Sequence, residues 1–181
     1  MNLIEGLQDL MSQVPLLVQP LLVALAAAIP FIEGELAAVL GVWAGLNPFV
    51  AFLAAAAGNF LSVFVIVVFG ARVREIITTR RAKRRELVPT GAAAGSELAP
   101  PEEPKPESKG RQRFRRFLVR YGVPGASLLG PLALPTQFTS AMLVAAGVSK
   151  SWILLWQAAA IILWTGFATA LTVGVLTLLF G

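Results

Sequence analysis

The stretch Ala28-Ile29-Pro30-Phe31-Ile32-Glu33-Gly34-Glu35-Leu36 places a proline, a glycine and two carboxylates inside an otherwise apolar run, and its reading decides the fold. Proline removes a helical hydrogen bond and its ring collides with the preceding turn, so a helix arriving at Pro30 must break there. A second break follows at Asn47-Pro48. Between the breaks, Glu35 to Leu46 makes only about 18 Å of helix at the standard rise, roughly half a bilayer. Phe49 to Gly70 makes about 33 Å and can cross fully. Residues 15–46 are therefore expected to form a re-entrant hairpin whose tip holds Pro30 and Gly34, followed by a transmembrane helix over 49–70. A non-helical tip is tolerated at that depth only where protein or a watery cavity surrounds it.

The second half repeats this punctuation. Phe117 to Leu129 leads into Gly130-Pro131-Leu132-Ala133-Leu134-Pro135, another broken tip, marked by Pro131 and Pro135. Thr136 to Gly147 is again half-length, and Ser149-Lys150-Ser151 turns the chain into a long apolar run. The pattern predicts a re-entrant hairpin over 117–148 and a transmembrane helix over 152–176. Ile29-Pro30 pairs with Leu134-Pro135, and Ala44 to Pro48 pairs with Ala146 to Lys150. Four plain helices with proline kinks are the alternative that hydropathy alone leaves open.

Composition places the whole chain in a bilayer. Of 181 residues, 56% are hydrophobic and 14% charged, and the mean hydropathy is +0.74, outside the range of ordinary soluble domains. The expected class is an all-α integral membrane protein, multi-pass, in two membrane repeats over 14–71 and 117–181. All of the 15 Lys and Arg residues except Lys150 fall between residues 72 and 120. The positive-inside rule makes this segment cytoplasmic. Residues 72–116 read as a basic loop whose arms extend the flanking helices and whose Pro-rich centre, 88–108, is expected to be disordered. With that loop inside, the first hairpin enters from outside and the second from the cytoplasm, so the halves form an inverted repeat. Residues 1–13 lack a basic leader, and Leu3, Ile4, Leu7, Leu10 and Met11 recur at helical spacing, which predicts an amphipathic helix at the interface.

At Pro30-Phe31-Ile32-Glu33, Gly45-Leu46-Asn47-Pro48, Gly58-Asn59 and Pro131-Leu132-Ala133-Leu134-Pro135-Thr136, both apolar blocks resemble the bacterial small multidrug export proteins, relatives of the DedA membrane family. The resemblance implies a bacterial cytoplasmic-membrane protein with re-entrant hairpins, engaged in export or, among the DedA relatives, in moving polyprenyl phosphate or other lipids between leaflets. The family commonly places an arginine two positions after the hairpin glutamate. Here that position is Glu35.

Glu33 and Glu35 are the acidic residues of the apolar blocks, and ionisable groups at such depth are costly enough to be functional suspects. In a broken tip both could face one cavity and carry a proton or bind a cation; their bland role is to complement a helix N-terminus. Asn59, beside Gly58 in mid-span, must find a polar partner. Thr136, Gln137 and Thr139 supply polar groups at the second tip, with Thr136 also placed to cap its own half-helix. With neither Cys nor His, thiol chemistry and the commonest metal ligands are excluded. No cofactor, metal or catalytic residue is expected, and no phosphate loop or nucleophile with a base is present. The basic charge fits topology and anionic lipid, and nucleic acid is not expected as a partner. The leading expectation is an ion-coupled exporter of an amphipathic, cationic compound, with protons or another coupling ion at Glu33 and Glu35. Alternatives are a lipid or polyprenyl-phosphate flippase or scramblase, and a membrane adaptor acting through the basic loop. A homodimer is expected, because so short a chain has little protein with which to seal a cavity.

Overall fold

The computed structural model describes Asp9, residues 12–86 and residues 109–180. The surface helix expected over 1–13, all but Asp9, Ser12 and Gln13, and the segment 88–108 lie outside the described residues. Within them the chain is helical throughout: α1 (Gln19–Ala27), α2 (Glu33–Trp43), α3 (Pro48–Glu86), α4 (Lys109–Leu129), a 3-10 turn (Gly130–Leu132), α5 (Thr136–Ala146) and α6 (Lys150–Phe180). The first half thus runs through two short helices into one long helix, and the second through α4, the 3-10 turn and the short α5 into another.

The breaks fall where the prolines are. Pro20 sits in the first turn of α1, where its missing N–H costs nothing. Ahead of α2, Ile32 and Glu33 both donate their backbone N–H back to Ile29 O, at 3.2 and 3.1 Å. Phe31 and Glu33 take left-handed backbone angles, φ 74° and 52°. These are costly for side chains with a Cβ, about 1–2 kcal/mol each. Gly34, which could have taken such an angle freely, does not. Its smallness serves a close approach, since a Cβ there would overlap Thr165 Oγ1 on α6.

The two half-length helices end in the same way. Gly45 and Gly147 adopt φ 91° and 89°, and the residue after each donates back five positions: Leu46 N–H to Gly41 O at 3.1 Å and Val148 N–H to Leu143 O at 3.2 Å. This Schellman ending satisfies carbonyls that a bare helix end would leave open. Asn47 then opens α3 by accepting the Phe49 N–H on Oδ1 at 2.9 Å.

One break was not anticipated. Within α4, Gly122 is left-handed at φ 67°. Pro124 has no N–H to give the Arg120 carbonyl and its ring would collide with that carbonyl in a continuous helix, so the chain bends just before it. Residues Phe117 to Tyr121, where the limb expected over 117–148 begins, therefore lie on the basic side of this bend, and residues 123–129 lie beyond it.

α1 and α2 run antiparallel, with Val23 packed on Gly41, and in the second half Gly130 packs on Thr139. The long helices α3 and α6 also run antiparallel. Leu46, Ala51 and Ala55 at the start of α3 pack with Val173 and Leu176 late in α6, whereas Val63 and Val67 pack with Ile153 at the start of α6. The packing partners exchange between halves: α1 lies on α3 as α4 lies on α6, and α2 reaches across to α6 as α5 reaches across to α3. Residues Pro48–Arg80 and Lys150–Leu179 are long and apolar enough to cross a membrane. Only 33% and 22% of their most apolar windows are buried, so Leu61, Phe69, Ile162, Phe167 and Leu171 present an apolar exterior, unlike the core helices of a soluble domain.

The tightest crossing is α1 on α3, where a Cβ on Gly58 would overlap the Ala24 backbone. Backbone cannot move aside as a side chain can. Gly58→Ala is expected to lose about 3 kcal/mol, read as a fall in melting temperature in detergent, while Gly174→Ala, with open space around it, should melt at or above the wild-type temperature.

Candidate functional site

The two breaks meet through a carboxylate. α5 begins directly after Pro135, which offers its first turn no side-chain cap, and the chain satisfies that end from 103 residues away. Glu33 Oε1 accepts both the backbone N–H of Thr136 and its hydroxyl, the latter at 2.9 Å. The carboxylate also lies at the positive end of the α5 dipole. Glu33 is only 6% exposed and Thr136 1%, so these charge-assisted bonds are shielded from competition by solvent. Beside them the rings of Phe31 and Phe138 meet at 6.2 Å between centroids.

A third element completes the cluster. Asn59, wholly buried in α3, brings Oδ1 to 3.1 Å from Thr136 Oγ1, and accepts from Gln137 Nε2 at 3.2 Å. Gln137 Nε2 also reaches Ser62 Oγ at 3.1 Å, and Gln137 Oε1 lies 3.4 Å from Thr136 Oγ1. A hydroxyl has one proton. Thr136 can therefore donate to Glu33, Asn59 or Gln137, but not to all three at once. Asn59 Nδ2 meanwhile has no partner. Turning that amide over alone would set Nδ2 against Gln137 Nε2, donor against donor, so the two amides could only turn together.

Of the expected site residues, Glu33, Asn59, Thr136 and Gln137 come together. Glu35 does not join them: it is half-buried in the first turn of α2, with Oε1 enclosed and without a hydrogen-bond partner. Thr139 lies on α5 against Gly130, and its hydroxyl has no partner either. The expected cap role divides differently from either reading of the sequence. Glu33 caps α5 from the other half of the chain, and the Thr136 hydroxyl lies on Glu33 Oε1 instead of capping its own helix. Of the tip residues, Pro30 lies in the first break, Gly34 in the first turn of α2, Pro131 in the 3-10 turn and Pro135 at the start of α5.

Sequence reasoning missed Ser62, whose signal was its place three residues after Asn59 on the same helical face. It also missed Gln157, an amide wholly buried in α6 with neither polar atom paired. Among the described residues no cluster of acidic groups could hold a metal ion. Comparison with known proteins adds no relative: no family model, curated protein or solved structure matches the chain.

What the cluster can do follows from its parts. A single carboxylate with neutral oxygens around it can accept a proton or a small cation, and each event weakens the charge-assisted hold on Thr136. Thr136→Val, which keeps the backbone donor and deletes the hydroxyl, is expected to destabilise the fold by about 1–3 kcal/mol. In a double-mutant cycle with Glu33→Gln, the two changes should couple by at least about 0.5 kcal/mol, measured by unfolding in detergent. Strict additivity would separate the residues energetically.

Proposed function

We propose that this chain is a small membrane transporter, built as an inverted repeat of two re-entrant hairpins, that exports an amphipathic, cationic compound in exchange for protons. The observation that carries the reading is the Glu33 carboxylate holding the start of α5, because it couples one tip to the other through a single exchangeable charge. Ionised, Glu33 clamps the two tips together. Protonated, it loses the charge that strengthens both bonds, and the hairpins gain freedom to part. Alternating access of one half against the other then follows the proton.

The inverted arrangement draws support from the exchange of packing partners between halves, from the matched endings at Gly45 and Gly147, and from the antiparallel long helices. The resemblance to small multidrug export proteins and their DedA relatives points the same way. On this reading the protein lies in the bacterial cytoplasmic membrane with residues 72–120 inside. It works as a homodimer. Glu35 and Gln157 are further polar groups that a substrate could engage.

A lipid or polyprenyl-phosphate flippase is the second reading, and one observation favours it: the N-terminus of α5 already holds an anion, which a phosphate could replace. Against it, no basic side chain shares the hydrogen-bond network of Glu33, Thr136, Asn59, Gln137 and Ser62.

Two experiments test the reading. Glu33→Gln keeps shape and hydrogen-bonding capacity but removes the exchangeable charge, so proton-coupled flux of a lipophilic cation in proteoliposomes should fall at least about tenfold, with the melting temperature little changed. Wild-type flux in Glu33→Gln, Glu35→Gln and the double variant, at mildly acidic and mildly alkaline pH alike, would end the proton-coupling proposal. For topology, the chain has no cysteine of its own. Asn47→Cys should react with an impermeant thiol reagent in intact cells, and Ser149→Cys only after the membrane is opened. A cytoplasmic Asn47 would make the first hairpin a full crossing and remove the inversion.

A further inference from the structure

Away from the Glu33 cluster, α3 and α5 leave between them a groove of about 420 Å³, lined by Ile66, Gly70, Val73 and Ile77 on α3 and by Ala141 and Ala145 on α5, with Arg74 at its rim. Gly70, Ala141 and Ala145 bring little bulk to its walls, and Val144 on α5 faces Gly70 within it. Along α3 it extends from Ile66 to Thr78, about 18 Å of helix. It begins within the apolar stretch that can cross a membrane and ends where that stretch turns basic.

At that end the Arg74 guanidinium lies over Gly147, the left-handed residue closing α5. The negative end of the α5 dipole accounts for its position. Among the described residues no carboxylate pairs with it, so its planar fork of donors stays available to an anion. An apolar slot running along the membrane normal, closed at the headgroup level by one unpaired guanidinium, has the polarity of a phospholipid laid lengthwise.

We infer that the α3–α5 groove binds one anionic phospholipid, an acyl chain lying along Gly70, Val73, Ala141 and Ala145 and the phosphate received by Arg74. Arginine suits the phosphate because it offers two parallel donors. The acyl chain suits the slot because the alternative is exposed apolar surface meeting lipid edge-on with unfilled space. This inference requires that the chain sits in a bilayer and not that it transports anything. The bound lipid would bridge a long helix and the half-helix whose start Glu33 holds, so the lipid would brace α5 at the end opposite to the clamp.

The test uses the full chain, purified in neutral detergent, with bound lipid counted by native mass spectrometry and stability followed by thermal melting. Wild type should retain phosphatidylglycerol in preference to phosphatidylcholine and melt higher when it is added. Arg74→Gln should lower the apparent affinity for phosphatidylglycerol about tenfold or more, the loss of a charge-assisted contact, and lower that for phosphatidylcholine less, because choline already offsets the charge of its phosphate. Ala145→Phe, at an exposed position that tolerates bulk, should fill the slot and reduce retention of both lipids. Equal phosphatidylglycerol affinity in wild type and Arg74→Gln would overturn the proposal. So would an equal rise in melting temperature with inorganic phosphate alone, or cross-linking from Ala145→Cys that shows a second copy occupying the groove. None of these readouts involves flux, so a failed transport assay leaves the inference standing and its own failure leaves the transport reading intact.

Discussion

The structure depends on one buried helix start having to find an acceptor outside its own hairpin. α5 opens after Pro135, which carries no capping oxygen, and the first N–H of the helix is shut away from solvent. A buried, unpaired amide of that kind costs about 1–3 kcal/mol, and the chain avoids the cost with Glu33 from the other half. The arrangement serves both partners, since a buried carboxylate without donors would be more expensive still. Holding Glu33 in place requires left-handed backbone at Phe31 and Glu33 itself. Strain of this sort persists only where its surroundings over-determine it, and here the surroundings are the start of α5, the Thr165 hydroxyl pressed on Gly34, and the Phe31–Phe138 contact.

Glycines set the distances at which this can happen. Gly58 admits the Ala24 backbone, Gly41 admits Val23, and Gly34 admits Thr165. Gly58 and Gly34 each let a short helix lie close to a long one and Gly41 lets the two short helices α1 and α2 meet, as expected where helices associate by packing and not by expulsion of water. The consequence is a core of small residues, Ala27, Ala37, Ala38, Ala51 and Ala55 in one cluster, with the larger apolar side chains turned outward. Such a core owes its stability to backbone proximity, which makes it intolerant of added methyl groups and indifferent to many changes on its exterior.

The interior is more polar than its pairing requires. Ser127, Ser140, Gln157 and Thr165 are fully buried with polar atoms unpaired, while Thr169 and Thr172 settle their hydroxyls on the carbonyls one turn back, at 2.7 and 2.8 Å. The contrast separates hydroxyls that merely satisfy a helix from groups left available. Together with the Thr136 hydroxyl, which has three acceptors and one proton, they leave the interior with donors and acceptors that its own bonds do not use.

By itself the sequence determined the helical class, the positions of most of the breaks and the identity of most of the Glu33 hydrogen-bond network. Proline, glycine and half-length apolar runs act locally, so Pro30, Asn47-Pro48, Pro131 and Pro135 were legible from spacing alone, as were Glu33, Asn59, Thr136 and Gln137 from the rarity of polar groups in apolar surroundings. Gly122 was not, because its break lies inside a stretch whose pattern continues on either side. Only the tertiary structure decided which helix end Glu33 caps, that Glu35 stands apart from it, and that Ser62 belongs with Asn59 and Gln137. Those outcomes depend on which of several buried donors lies within about 3 Å of one acceptor, a matter of how α2, α3, α5 and α6 pack across more than a hundred residues of chain, and periodicity along the chain carries no information about distances across it.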